Sequence, residues 1–199
     1  SSSVSTNRGE SGSWYMTGHG LHAPCADPND PELLYLSSDQ LGLGYSTNAI
    51  STETYQDHNL ADWLEINVAT YSRGIEAVEI MDFDFTADKT VGWTASGQGV
   101  RWTTNLNAGA GNVVWSEPIM PAAAPGYHAV AIDPNTPGGA TVYAADNRHV
   151  YRSEAGFTDA AEDWVQVLRS GTYDPGDNPG GYEMDTVRRL AVHPGDSNR

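Results

Sequence analysis

Two aspartates stand in matching places along the chain. Asp39 comes shortly after the apolar run Leu34-Tyr35-Leu36, and Asp146 follows Val142-Tyr143-Ala144-Ala145. A carboxylate near the end of an apolar run can work as a general acid, a base or a nucleophile, and glycoside hydrolysis requires two of them across a cleft. The same residue can instead cap a turn by accepting backbone N–H bonds. Recurrence of the slot favours the turn, and catalysis by Asp39 stays open as the alternative. Other polar candidates gather between apolar runs: Arg73 and Glu76, Arg148 beside Asp146, and Tyr173, Tyr182 and Glu183 in the long stretch 169–185. Tyrosine rings stack on sugar faces and carboxylates bond sugar hydroxyls, so such loops suit carbohydrate.

Metal chemistry has no evident donor set. His19 and His22 are three apart in a Gly-rich segment, while His58, His128, His149 and His193 are dispersed without zinc-ligand spacing. Asp27, Asn29, Asp30 and Glu32 crowd together, but Pro28 and Pro31 break the spacing of a calcium loop. Asp-Pro-Asn predicts a turn in which the aspartate accepts the N–H two residues on. Neither metal nor cofactor is expected. The single cysteine, Cys25, excludes an internal disulfide and reads as a small buried apolar residue.

These residues punctuate a repeat. Ala26-Asp27-Pro28-Asn29-Asp30-Pro31 matches Ile132-Asp133-Pro134-Asn135-Thr136-Pro137, and Val192-His193-Pro194-Gly195-Asp196 is a weaker copy. Phe83-Asp84-Phe85-Thr86-Ala87-Asp88 holds the same place without proline. The start points Asp27, Asp84, Asp133 and His193 lie 57, 49 and 60 residues apart. That is the period of a four-stranded propeller blade enlarged by loops. For the middle unit, strands are expected over 78–84, 90–95, 99–104 and 113–117. Alternation places Val142, Ala144 and Val150 on one face, with Tyr143 and Tyr151 on the other. No helix is expected beyond a single turn within 157–164. The fold class is therefore all-β, a β-propeller fragment of four-stranded antiparallel blades. Residues 1–18 end a preceding blade, 19–72, 73–121 and 122–180 are blades, and 181–199 open another.

Each unit also carries a hydroxyl residue, an amide or small residue, and a later tryptophan. The series is Ser5, Asn7 and Trp14; Ser46, Asn48 and Trp63; Thr103, Asn105 and Trp115; and Ser153, Gly156 and Trp164. It resembles the Asp-box, or BNR, repeat, Ser/Thr-x-Asp-x-Gly-x-Thr-Trp, shared by sialidases, xyloglucan-cleaving glycosidases and sortilin-type receptors. The resemblance implies a hairpin between the third and fourth strands of each blade, tied by the acid and the hydroxyl, with the tryptophan packed between blades; here Asn replaces the acid at positions 7, 48 and 105 and keeps an acceptor. The string from Leu34 to Tyr45 is similar to Tyr-x-x-Thr-Asp-x-Gly-Gly-x-Tyr of the xyloglucan-cleaving enzymes. In that family the aspartate is catalytic, which makes Asp39 the position to carry the role. Here the loop is one residue longer, and Ser37 replaces the family's arginine.

Charge and composition bound the function. Twenty-six acids against ten bases give a net charge of -16, with Lys89 the single lysine. That balance excludes a nucleic-acid binder held by phosphate neutralisation and makes a poor host for an anionic sugar. No run of about 18 apolar residues is present to span a membrane. Six Trp and ten Tyr supply a core and argue against disorder. Many acids fall in the turns of the repeat, as on a surface adapted to a salty or marine medium. The expected function is an Asp-box propeller segment of a secreted or surface exoprotein that binds polysaccharide or protein through its loop face. The alternative is an endo-β-glucanase of the xyloglucan-cleaving type, with the second carboxylate outside these residues. Oligomeric state stays open.

Overall fold

The computed structural model describes residues 5–8, 12–15, 21–38, 42–46, 63–65, 79–108, 112–123, 126–158, 160–169 and 187–196. Two compact units divide the chain. One is Ser1–Ile80 with Asn105–Trp115; the other is Met81–Thr104 with Ser116–Arg199. Every named strand pair is antiparallel, and the helical elements among the described residues are short 3-10 turns.

The first unit holds a two-stranded sheet, β1 (Ser5–Arg8) and β2 (Gly12–Tyr15), and a four-stranded sheet in sequence order. The latter runs β3 (Leu21–Asp27), β4 (Asp30–Ser38), β5 (Gly42–Ser46) and β6 (Trp63–Glu65). The β3–β4 register slips between His22 and Cys25, where Pro24 has no N–H to give the ladder. Leu33, Tyr35 and Leu43 are buried. Asp27 accepts the Asn29 N–H at 2.8 Å, the turn expected of Asp-Pro-Asn. Cys25 corrects its expectation: it is only partly buried, because β3 is an edge strand of its sheet.

The second unit contains all of β7 (Ile80–Phe85) but its first residue, with β8 (Gly92–Ser96) and β9 (Gly99–Thr103) beside it. Its four-stranded sheet runs β10 (Ala129–Ile132), β11 (Val142–Ala145), β12 (His149–Ser153) and β13 (Trp164–Arg169). The expected strand at 113–117 is not regular. Instead Ser116 exchanges bonds with Trp102, Oγ accepting at 3.0 Å and N–H donating at 2.8 Å. Ile119 then bridges Val100. A side chain occupies one ladder position and Pro118 has no N–H, so the fourth strand survives as a distorted edge.

Cross-strand register also corrects the expected faces. Tyr151 lies opposite Ala144, and Val150 opposite Ala145; directly paired residues share a face. Val142, Ala144 and Tyr151 therefore join one core, with Trp93, Val130, Ile132 and Trp164. Ala129, Ala145 and Val150 form a second core on the other face, with Tyr143 against it. Trp93 is fully buried and meets Trp164 edge-on at 6.0 Å, so it fills space between the two sheets. Burial of such rings supplies a large share of the packing energy.

Asp84 is not a turn residue, contrary to its place in the repeat. β7 continues through it to Phe85. The turn that follows is tied by Asp88, which accepts from the Thr86 and Thr90 hydroxyls at 2.6 and 2.8 Å and from the Thr90 N–H at 3.1 Å.

Candidate functional site: the loop end of the second unit

Sequence reasoning assigns ligand contact to the turns between second and third strands and to the connectors between blades. In the second unit two such turns and one connector come together. The β8–β9 turn is closed by Ser96, whose Oγ donates to the Gly99 carbonyl at 2.9 Å and accepts the Gln98 N–H at 3.2 Å. Gly99 has φ +125, and a Cβ there would lie 2.5 Å from the Ile119 carbonyl oxygen, so only glycine fits. The connector reaches this turn through the Tyr127 N–H, which donates to Ser96 O at 2.9 Å. The Tyr127 hydroxyl accepts the Ala122 N–H at 2.8 Å and donates to its carbonyl at 3.0 Å, folding the connector back on itself.

The β11–β12 turn is organised by Asp146, which is 5% exposed. Its Oδ1 accepts the backbone N–H groups of Arg148 at 2.6 Å and His149 at 2.7 Å. Its Oδ2 accepts the Tyr151 hydroxyl at 3.1 Å and lies 3.1 Å from His149 Nδ1. Burial works to raise this carboxyl, but those bonds from Arg148, His149 and Tyr151 outweigh it and hold it below the usual carboxylate range. Burial pushes the Tyr127 hydroxyl up to about 12. Burial, followed by the Asp146 charge, does the same to Tyr151. Both phenols are thus neutral hydrogen-bond donors at ordinary pH. The rings of Tyr127 and Tyr151 meet edge-on at 6.1 Å, joining connector and turn. Arg148 is exposed at the tip, and the Arg101 guanidinium is buried, donating to Ser116 O and Gln98 Oε1 at 3.1 and 3.4 Å.

Chemically, Asp146 is a turn cap with both oxygens engaged. What the loop end offers a ligand is the exposed Arg148, Gln98 and the partly exposed His149. Of the other ligand-face candidates, Asp39, Arg73, Glu76, Tyr173, Tyr182 and Glu183 lie outside the described residues.

The hydroxyl–amide–tryptophan series is placed in part. Asn105 ties its own loop: its side-chain Oδ1 accepts the Val114 N–H at 2.9 Å and its Nδ2 donates to Asn112 O at 3.0 Å. Thr103, Trp115, Ser153 and Trp164 are buried. Ser153 Oγ accepts the Ala155 N–H at 3.3 Å, and Gly156 has φ +73. Ser5 and Asn7 fall in β1, Trp14 in β2, Ser46 at the end of β5 and Trp63 at the start of β6; Asn48 is outside the described residues.

Asp82 was missed, and Asp84 was read only as a repeat position. Asp82 and Asp84 accept the backbone N–H groups of Val130 at 3.0 Å and Ile132 at 2.8 Å. Asp133 N–H bonds back to Thr141 in the β10–β11 ladder. Antiparallel alternation therefore turns the Val130 and Ile132 N–H groups outward, and the carboxylates of β7 cap them. Burial raises both acids, Asp84 to about 6. The legible signal was two acids at period two inside the apolar run Ile80 to Phe85.

Serial four-stranded antiparallel sheets define the class: an all-β, propeller-like fragment. Among solved structures the chain is similar to U3-55K, with a TM-score of 0.51 and 8% identity, over 79% of this chain and 41% of that one. At that identity the likeness is one of fold, and this chain spans less than half the length of the structure it matches. No protein-family model matches the chain, and no curated protein does. No helix among the described residues is long and apolar enough to cross a membrane.

Proposed function

We propose that the chain is an Asp-box propeller segment of a secreted or surface exoprotein that binds polysaccharide or protein through its loop end. The observation that carries the binding reading is Asp146. The acid in the recurrent slot spends both oxygens on the turn, which leaves it a scaffold for Arg148 and not a free acid or base. Support for the Asp-box assignment comes from Asn105, which ties its loop through Oδ1 and Nδ2 as the amide substitute for the family's aspartate would. Calorimetry against soluble xyloglucan, mixed-linkage β-glucan and a panel of basic and neutral proteins tests the reading. Saturable binding weakened at least about fivefold by Arg148→Ala is expected, a loss of about 1 kcal/mol. Binding indifferent to that change would remove the loop end from consideration.

The second reading is an endo-β-glucanase with Asp39 as one carboxylate, motivated by the Leu34–Tyr45 string. Reducing-end release from xyloglucan by the full-length protein, abolished by Asp39→Ala, would favour it. Release unchanged by Asp39→Ala would dispose of it.

A further inference from the structure

The β8–β9 and β11–β12 turns are built alike. Ser96 pairs with Gly99 across the first, and the Asp146 N–H donates to His149 O across the second at 3.1 Å. Each is therefore a two-residue turn, Gly97-Gln98 in one sheet and Asn147-Arg148 in the next. In both, the side chain before the turn accepts the N–H two residues on: Ser96 Oγ from Gln98 at 3.2 Å, and Asp146 Oδ1 from Arg148 at 2.6 Å. The shared cap fixes the same backbone position in both turns. That position is exposed both times and carries a long side chain with N–H donors. Gln98 Oε1 accepts from Arg101 Nη2 at 3.4 Å, which leaves the amide Nε2 as its group for a ligand. Arg148 has donors and no acceptor, and Asp146 beside it has both oxygens engaged.

The two tips are tied into one platform by the connector between the sheets. The Tyr127 N–H holds Ser96 O at 2.9 Å, and the Tyr127 ring meets that of Tyr151, whose hydroxyl donates to Asp146. Gly126 has φ +152, and a Cβ there would lie 3.1 Å from Gly97 Cα, so the connector packs directly on the first turn. Sheets stacked face to face stand roughly 10 Å apart, a span wider than one sugar ring.

We propose that Gln98 and Arg148 are paired subsites for a linear neutral polysaccharide, held along its length, with each side chain donating to oxygens of a different sugar residue. Equivalent donors one sheet apart match a ligand whose acceptors repeat along a chain. Protein interfaces centre on desolvated aromatic or apolar anchors. Here Tyr127 and Tyr151 are buried, and among the described residues the exposed large hydrophobics, Val114, Val165, Val167 and Leu168, belong to neither turn. The net charge of -16 favours a neutral chain over an anionic one. The inference rests on the proposed binding through the loop end, and adds a second contact residue and a minimum ligand length.

The test is calorimetry of the full-length protein with β-glucan, mannan and xylan oligosaccharides, each as a series from disaccharide to hexasaccharide. For at least one series the affinity should rise by at least about tenfold with length, because the second contact becomes intramolecular once the first is made. Gln98→Glu keeps the acceptor for Arg101 and removes the Nε2 donor; Gln98→Met removes the donor without adding a charge. Both should weaken the hexasaccharide by at least about threefold, the worth of one hydrogen bond, and abolish the gain with length, as should Arg148→Ala. An unchanged melting temperature identifies which Gln98 variant is read. Binding that is sensitive to Arg148→Ala but equal for short and long chains, or unaffected at Gln98, would overturn the proposal and leave the loop end as a binding site. Binding of proteins alone, with none of any saccharide, would remove both this proposal and the polysaccharide reading.

Discussion

Asp82 and Asp84 are carboxylates on a strand whose buried residues are Ile80 and Phe83, and they serve as caps for a neighbouring strand's backbone. Each replaces a missing ladder partner at Val130 or Ile132, yet burial outweighs those bonds and raises both groups. For Asp84 the folded carboxyl titrates at about 6, against 3.8 when unperturbed. Between those values the folded state holds a proton that the unfolded state has released. Its contribution is therefore fully favourable below pH 3.8 and is lost as pH rises through about 6, a change of up to about 3 kcal/mol. Asp84→Asn keeps the acceptor for Ile132 and removes the charge. Urea unfolding should show the variant more stable than the parent at pH 8, with the difference vanishing near pH 4. Asp146 titrates the other way. Its folded carboxyl is lowered, so its stabilisation is present at neutral pH and fades as pH falls below its ordinary range. Asp146→Ala strands two backbone N–H groups and the Tyr151 hydroxyl, and should cost about 2–3 kcal/mol at pH 7 by chemical denaturation. A cost under about 0.5 kcal/mol would mean that the turn holds without its cap.

At the scale of elements, hairpins and their joints were the most legible. The expected strands over 90–95 and 99–104 correspond to β8 and β9 within about two residues, because Ser, Gly and alternating apolar residues mark their ends. Faces were less legible. Both sides of β11 and β12 are buried, so alternation alone gave no inside and outside, and only the Ala144–Tyr151 pairing decided the matter. The 113–117 segment failed as a regular strand because the Trp102 N–H of β9 donates to the side-chain Oγ of its Ser116 and not to a backbone carbonyl, which no propensity encodes. Gly139 marks a joint of another kind. It has φ +69, and an added Cβ would sit 2.9 Å from the Thr86 methyl and 3.3 Å from Val91. Gly139→Ala should therefore destabilise by about 1–3 kcal/mol, read as a lower melting temperature. An unchanged melting temperature would show that the approach between the β7–β8 turn and the β10–β11 turn is loose.

The whole molecule carries a net charge of -16. Like charges at that density repel one another over a distance set by ionic strength, about 8 Å at physiological salt. Raising sodium chloride from about 10 mM to 1 M should increase the melting temperature by several degrees in differential scanning fluorimetry. A flat or falling response would count against the proposal of a surface adapted to salt. The charge bears on ligands too, since a neutral polysaccharide or a basic protein surface suits the loop end better than an anion does.

By itself the sequence determined the all-β class, the blade-length period and the Asp-Pro-Asn turns, because each depends on neighbours along the chain: a hydroxyl or carboxylate two residues from the N–H it accepts, and apolar residues at period two. The tertiary structure decided what depends on residues distant in sequence. It assigned Asp146 to a turn through Tyr151 and His149, gave Asp82 and Asp84 to the backbone of a strand about 48 residues on, and put Tyr151, in place of Val150, on the face of Val142 and Ala144. Spacing along a chain specifies a turn, but the partner of a buried carboxylate is chosen by the packing of sheets.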